Sequence, residues 1–208
     1  MSKVLTGLTC VILLALSTSV FCQKKPLGHE DVLAWNRITE QRISNNGEII
    51  VYKQEPWKGD PTLKIATPAG RELVSVKCGT NAQITFDSEF VVFTLKPSED
   101  TIRTLQLKKT KKEDLPKNNL LIHHFETGKT DTVKNFTSVK VPEKWSGWMA
   151  WQTEAPKDTT EKKTAADKNG KEKTFPLFVK NLKSGEMSEF PAVSDYLFAE
   201  EKEVLVFI

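Results

Sequence analysis

The chain has 208 residues, of which 38% are hydrophobic and 27% are charged, and its formal net charge is +3. These values are ordinary for a soluble protein. The lysines and glutamates are interspersed, which argues against the clustered basic face of a nucleic-acid-binding protein.

Residues 1–23 are typical of a secretory signal peptide. Lys3 supplies the positive charge, residues 4–16 form an apolar run, and residues 17–22 are small or tolerated before a cleavage site. The apolar run is too short for a stable membrane span. Lipidation at Cys22 is an alternative, but Phe21 stands where a lipoprotein signal needs a small residue. We expect cleavage near Cys22, a secreted or periplasmic protein, and no membrane association afterwards.

Cys78 is the cysteine that remains after such cleavage, so no disulfide can form within the mature chain. The sequence predicts a buried, small hydrophobic side chain at this position. A catalytic thiol is the alternative, but no ordered arrangement of cysteine and histidine accompanies it.

Residues 24–42 are polar with scattered apolar side chains, and we expect a helical or irregular lead-in that packs Trp35 on the domain. A folded region over 43–208 follows. It begins with Asn46 and Gly47, a strong signal for a tight turn, and then with a strand over 49–53.

Three stretches then repeat one pattern: strand, polar turn with glycine, two strands, second turn and fourth strand. The turn glycines Gly70, Gly128 and Gly185 lie 58 and 57 residues apart. Repetition at this scale is typical of an array or propeller. We interpret each stretch as one four-stranded antiparallel unit. The stretches are residues 62–95, 119–153 and 176–208.

The last strand of each stretch is apolar at nearly every position, which predicts burial on both faces. Stacked propeller blades cover both faces of each sheet, whereas a sandwich strand usually alternates. We therefore predict an all-β fold, a partial β-propeller of three to four four-stranded blades, with a complete small β-sandwich as a weaker alternative. The apolar strand over 204–208 would leave an unpaired edge, and we expect this chain to be part of a larger protein.

Two charged insertions separate the stretches. Residues 96–118 contain a helix start at Ser98, whereas residues 154–175 have almost no apolar side chains and predict a mobile loop. Lysine runs of this kind are usually solvated, so we assign no binding role to Lys108, Lys109, Lys111 and Lys112.

No catalytic motif stands out. The G-x-S-x-G elbow of a serine hydrolase is missing, and Ser146 lies between Trp145 and Gly147 in a predicted hairpin turn. His123 and His124 are neighbours on a strand, so they should point to opposite faces rather than form a metal site. The sequence therefore nominates no catalytic, cofactor-binding or metal-binding residue, and no cofactor.

Trp145, Trp148 and Trp151 form the remaining candidate cluster. Positions 148 and 151 lie on different faces of a strand, so the tryptophans do not line one face as a sugar-stacking platform would. Packing between blades is the better interpretation.

The segment from residue 27 to 208 resembles secreted bacterial members of the prolyl oligopeptidase family. The resemblance begins with Asp31 and Trp35, followed by the turn sequence SNNGE at 44–48 and the strand IVY at 50–52. The motifs FDSEFVVFTLKP, DLPKNNLLIHHFETGKT and KVPEKWSGWMAWQTE follow in the same order. Each motif is short, and their order carries the resemblance.

The resemblance implies an N-terminal propeller that covers the active site of a C-terminal α/β-hydrolase domain and limits entry to peptides. No position here matches the family's triad or oxyanion motif, so this chain alone should be inactive. The first hypothesis is the substrate-gating propeller of a secreted serine peptidase, with the hydrolase domain and peptides as partners. The second is a non-enzymatic secreted propeller that binds a protein or glycan.

Overall fold

The computed structural model describes residues 26–33, 35–154 and 174–208. The predicted signal peptide, most of the predicted loop over 154–175 and the first two residues of the lead-in therefore lie outside the described residues. The chain divides into two units, residues 1–32 and residues 33–208. The first unit contains nearly all of a short helix, α1 (His29–Leu33), in which the Asp31 carboxylate accepts a hydrogen bond from the Gly28 backbone N–H.

The second unit consists of antiparallel strands with one further α-helix. Three sheets contain four strands each, and a fourth sheet contains two; within each sheet, strands that follow one another in sequence are hydrogen-bonded neighbours. The strands of the first sheet are β1 (Asn36–Ile43), β2 (Ile50–Pro56), β3 (Thr62–Ala66) and β4 (Glu72–Lys77). Those of the second are β5 (Gly79–Ile84), β6 (Phe90–Leu95), β7 (Asn119–His124) and β8 (Thr130–Val133).

The third sheet contains β9 (Phe136–Lys140), β10 (Trp148–Thr153), β11 (Phe175–Asn181) and β12 (Met187–Val193), and the fourth contains β13 (Tyr196–Phe198) and β14 (Leu205–Phe207). Helix α2 (Glu99–Leu107) and a short 3-10 turn (Lys112–Asp114) connect β6 to β7. The Ser98 side chain accepts a hydrogen bond from the Thr101 N–H at 3.3 Å, which confirms the predicted helix start.

Side-chain alternation explains how the sheets stack. On β6, Val91 and Phe93 pack in a buried cluster with β2 and β3 of the first sheet. Phe90 and Val92, which alternate with them along the strand, pack with Met149 of the third sheet. Each central sheet therefore buries one face against the preceding sheet and the other against the following sheet, which is the arrangement of propeller blades and not of a two-layer sandwich.

The same rule holds one sheet further along the chain. Met149 and Trp151 of β10 face the second sheet, whereas Ala150 packs with Tyr196 and Phe198 of the fourth. The fold is thus an open, partial β-propeller of three four-stranded sheets and one two-stranded sheet, as the sequence predicts.

The predicted unit boundaries are out of phase with the sheets. The stretch 62–95 comprises β3 to β6, so its first hairpin ends the first sheet and its second hairpin begins the second sheet. The stretches 119–153 and 176–208 straddle sheets in the same way. The strand pattern and the glycines are correctly placed: Gly70, Gly128 and Gly185 all have positive φ in hairpin turns. The assignment of each stretch to one sheet is wrong.

Two further expectations differ from the structure. Residues 36–42 of the predicted lead-in belong to β1, a sheet strand, and the Trp35 side chain is 58% exposed instead of packed on the domain. The strand over 204–208 is exposed, with Val206 61% and Phe207 40% accessible. β14 pairs with β13 along one edge, and no other described strand pairs with its second edge.

Candidate functional site

The connections of an up-and-down sheet alternate between its two ends. One end, the turn end, carries the tight hairpin turns that join the first strand to the second and the third to the fourth of each sheet. The opposite end, the insertion end, carries the β2–β3 turn, the segment from β6 to β7 with α2, the end of β10 and the start of β11. Functional residues concentrate in long connections, so the insertion end is the candidate functional face.

The first hairpin turns of the first two sheets at the turn end are built alike. In the first sheet, Ser44 Oγ donates to Asn46 Oδ1 at 2.6 Å and accepts from the Ile49 N–H at 2.9 Å. In the second, Thr85 Oγ1 donates to Asp87 Oδ1 at 2.5 Å and accepts from the Phe90 N–H at 3.0 Å. A hydroxyl residue followed two positions later by an Asn or Asp therefore closes each turn.

These turns also join neighbouring sheets. Asn45 donates to the Phe86 carbonyl at 2.9 Å, which links the first two sheets. Asp87 Oδ2 lies 3.6 Å from the Lys183 ammonium of the third sheet. Burial alone would raise the pKa of Asp87, but the hydrogen bonds from Thr85 and the Glu89 N–H, together with the nearby Ser146 hydroxyl and the charge of Lys183, outweigh it and lower that pKa. Asp87 is therefore an ionised structural link between sheets.

Ser146, the look-alike of a nucleophile, has no histidine partner among the described residues. His123 Nδ1 hydrogen-bonds to Thr130 Oγ1 at 2.8 Å, and His124 Nδ1 accepts from the Thr127 N–H at 3.1 Å. The structure therefore brings no Ser-His-acid arrangement together in its described part.

The two histidines point to opposite faces, as predicted. The buried His123 ring lies 5.9 Å from the Phe125 ring, while His124 meets Phe90 edge-on at 4.5 Å. Burial lowers the pKa of His123, and the neighbouring His124 lowers it further. In the described part of the chain, no three His, Cys, Asp or Glu side chains lie close enough together to hold a metal ion.

The tryptophans of the third sheet pack between sheets, as predicted. Trp151 is 4% exposed, packs with Phe90 of the second sheet and stacks on Phe178 of its own sheet at 5.7 Å. Trp145 donates from Nε1 to the Ala199 carbonyl at 2.8 Å and meets Phe198 edge-on. These contacts use the indoles within the fold, so the cluster is not a sugar-binding platform.

Cys78 is buried, as predicted, at the crossing from the first sheet to the second. Burial raises the pKa of its thiol, and the charge of the nearby Asp60 carboxylate raises it further. A thiol of raised pKa is a poor nucleophile at neutral pH, which opposes the catalytic alternative.

The first strands of three successive sheets line an open groove of about 610 Å³, which we call the first-strand groove. A register shift interrupts the pairing of each of these strands, β1, β5 and β9. In β1, the bulged Glu40 accepts from Lys53 Nζ at 2.6 Å and from the Asn81 N–H of β5 at 2.7 Å. Because bulges redirect side chains, this carboxylate turns towards the next sheet and joins the two first strands.

Neutral polar groups dominate the rest of the groove lining. Amides and hydroxyls both donate and accept hydrogen bonds, as a polypeptide backbone or a glycan requires of a binding surface. The groove thus has the chemistry of a surface for a neutral polar chain. The groups are those of Gln41, Asn81, Gln83, Asn118, Thr137 and Ser138.

No helix in the described residues is long and apolar enough to cross a membrane.

Comparison with known proteins gives structural likeness only. No family model matches the chain, and no curated protein matches it. The β-propeller domain of the trilobed protease from Pyrococcus furiosus aligns over 78% of this chain and 45% of its own, with 14% identity and a TM-score of 0.48. The acylaminoacyl peptidase of Pyrococcus horikoshii aligns over 80% and 27%, with 11% identity and a TM-score of 0.49.

A structure of a eukaryotic initiation factor aligns over 78% of this chain and 34% of its own, with 7% identity and a TM-score of 0.41. This chain thus spans less than half the length of each of these three proteins. At such identities the likeness concerns the fold alone, and proteins of different activities share it.

Proposed function

We propose that this chain is the non-catalytic, substrate-gating propeller segment of a secreted serine peptidase, whose hydrolase domain lies in the remainder of the protein. The observation that carries the proposal is the first-strand groove. It is bounded by three sheets, it is lined with groups that match a peptide backbone, and its volume of about 610 Å³ would admit a short extended peptide segment.

The resemblance to the prolyl oligopeptidase family supports the same function. The turn sequence at 44–48 joins β1 to β2 in the first hairpin of the first sheet, and the strand residues at 50–52 begin β2. The motif FDSEFVVFTLKP lies in the equivalent hairpin of the second sheet, between β5 and β6. The motifs therefore fall at corresponding places in successive blades.

The first test is chemical labelling of the native protein. An antibody raised against this chain would capture the protein from its source, and a fluorophosphonate probe would label any active serine hydrolase in the captured material. We expect label in the polypeptide that contains this sequence, and none in the purified 208-residue chain. A captured protein without label, whose reading frame closes soon after the propeller, would exclude a peptidase.

The second test plugs the groove in the labelled protein. Thr137→Trp places an indole among the first strands, and Thr132→Trp places one on the exposed β8 as a matched control. We expect Thr137→Trp to lower kcat/KM for a long peptide far more than for a small ester. Equal effects of both variants would argue against gating.

A non-enzymatic propeller that binds a protein or glycan is the second candidate. Trp35 and Trp57, which are 58% and 81% exposed, favour it because a backbone hydrogen bond of 3.2 Å places them side by side at the insertion end. Exposed aromatic pairs are typical of interaction surfaces. If fluorophosphonate labelling fails, the non-enzymatic propeller is the candidate function that remains.

A further inference from the structure

A second cavity, of about 390 Å³, opens at the insertion end, between the β2–β3 turn and the start of α2. We call it the insertion pocket. Its volume falls within the range of small-molecule sites. It is separate from the first-strand groove: the two cavities have no lining residue in common.

The acidic groups of the insertion pocket are largely neutralised. Glu55 pairs with Arg37 at 2.9 Å and with Lys53 at 3.6 Å. Asp60 accepts the Glu99 backbone N–H at 2.8 Å and lies 3.7 Å from Lys77. These carboxylates are therefore occupied by partners within the fold.

Two lysines of the pocket are not neutralised in this way. Lys58 and Lys96 are exposed and line the pocket, and neither has an ion-pair partner among the described residues. The Glu99 carboxylate is the remaining acid of the described lining without such a partner, so the unpaired charges favour the positive sign. An anion entering the pocket would meet two available ammonium groups.

The floor and the rim add two further groups. Thr80 is 2% exposed, and its Oγ1 has no hydrogen-bond partner among the described residues. A buried hydroxyl without a partner is costly, and a bound acceptor would satisfy it. At the rim, the 81% exposed indole of Trp57 offers a flat apolar surface.

We propose that the insertion pocket is a binding site for a small organic anion, in which Lys58 and Lys96 hold a carboxylate-type group and Trp57 packs on a planar apolar part. The carboxyl terminus of a peptide and a free aromatic acid share this chemistry. The site does not depend on the peptidase function, because none of its groups lines the first-strand groove.

Hippurate, an aromatic carboxylate, is the probe, and uncharged hippuramide of nearly the same shape is its control. Calorimetric titration of the full chain should show saturable binding of hippurate and much weaker binding of hippuramide. Lys58→Gln and Lys96→Gln should each weaken hippurate binding by about fivefold, in line with exposed ion pairs. Binding should also weaken as salt screens the charges.

Trp57→Ala should weaken hippurate binding by about fivefold as well, in line with loss of an aromatic contact. The affinity for inorganic phosphate, an anion without an aromatic part, should be the same in Trp57→Ala as in the parent chain. Lys109→Gln, a lysine outside the pocket, is the matched control and should change nothing. All of these side chains are exposed, so thermal melting should confirm that each variant remains folded.

The source of the anion is distinguished by a further pair of probes. If N-acetyl-Ala-Ala-Phe binds more than tenfold more tightly than hippurate, and its amide does not bind, the site takes peptide carboxyl termini; equal affinities indicate a free aromatic acid. Equal binding of hippurate and hippuramide, no saturable hippurate binding, or unchanged affinity in both lysine variants would each overturn the proposal.

Discussion

At the turn end, the Trp145 indole donates a hydrogen bond to the Ala199 carbonyl and meets the Phe198 ring at 5.3 Å. At the insertion end, the Trp57 indole is 81% exposed. The same contrast extends to the charges: Asp87 accepts two hydrogen bonds and lies 3.6 Å from Lys183 at one end, whereas Lys58 and Lys96 are unpaired among the described residues at the other.

The difference separates two roles within one set of strands. The turn end holds the sheets together, since its side chains reach from one sheet to the next. The insertion end leaves Lys58, Lys96 and the Trp57 indole available, which suits binding. Substitutions of the same residue type at the two ends should therefore affect different properties, stability at one and binding at the other.

The largest effect on stability should come from the matched tryptophans. Trp145→Ala removes a ring contact and leaves the Ala199 carbonyl without its donor, and we expect a loss of about 3 kcal/mol in the free energy of unfolding. Trp57→Ala should stay within about 0.5 kcal/mol of the parent, because the indole is exposed. Urea unfolding followed by circular dichroism measures both. Equal losses would remove the distinction between the ends.

Asp87→Ala should have the next largest effect. It leaves the Thr85 hydroxyl and the Glu89 N–H without their acceptor, and we expect a loss of about 2 kcal/mol. Glu99→Gln, at the insertion end, is the control and should cost less than about 0.5 kcal/mol.

The same carboxylate gives a pH dependence. Because the folded-state pKa of Asp87 is lowered, its contribution is present above the unfolded pKa of about 4 and is lost as the pH falls through the folded pKa. The acid limb of the stability curve should therefore be shallower in Asp87→Ala than in the parent chain. An unchanged limb would contradict this assignment.

The sequence predicts local structure here better than it predicts sheet membership. The turn glycines, the helix start at Ser98 and the opposite orientations of His123 and His124 follow from local chemistry, and the structure has them. Which hairpins belong to the same sheet does not follow from local chemistry. A hairpin has the same pattern whether the next strand joins its own sheet or begins another.

The length of a connection does not indicate where one sheet ends and the next begins in this chain. The long segment 96–118 looks like a boundary but joins β6 to β7 within the second sheet, whereas the true crossing between the first two sheets is the short step at Cys78 and Gly79. A Cβ at Gly79 would lie 2.7 Å from the Leu63 Cβ, so this crossing needs glycine. The insertion pocket was not predicted either, since it joins residues from the β2–β3 turn, the crossing and the start of α2.

His123 should give a smaller, pH-dependent effect at the turn end. Burial and the neighbouring His124 lower its folded-state pKa, so between that value and the unfolded pKa of about 6.5 the unfolded chain binds more protons. Stability from this group is therefore present above about pH 6.5 and declines as the pH falls below it. Thermal melting between neutral and mildly acidic pH should show a decline that His123→Gln reduces; an equal decline in both would contradict the assignment.

The smallest effect should come from Lys183, and it tests which interactions hold the turn end together. Its ammonium lies 3.6 Å from Asp87 and 3.4 Å from Glu89, and its side chain is about half exposed. Exposed ion pairs contribute little, so we expect Lys183→Met to cost about 0.5 kcal/mol and to lose that small difference in high salt. The hydrogen bonds from the Thr85 hydroxyl and the Glu89 N–H, which lie in the same turn as Asp87, would then account for most of what this carboxylate contributes to stability, since they are partly buried and do not depend on the lysine. A loss as large as that of Asp87→Ala would contradict this. It would mean that charge attraction, which salt weakens, holds the turn end together, and that the two ends differ less than their hydrogen bonds indicate.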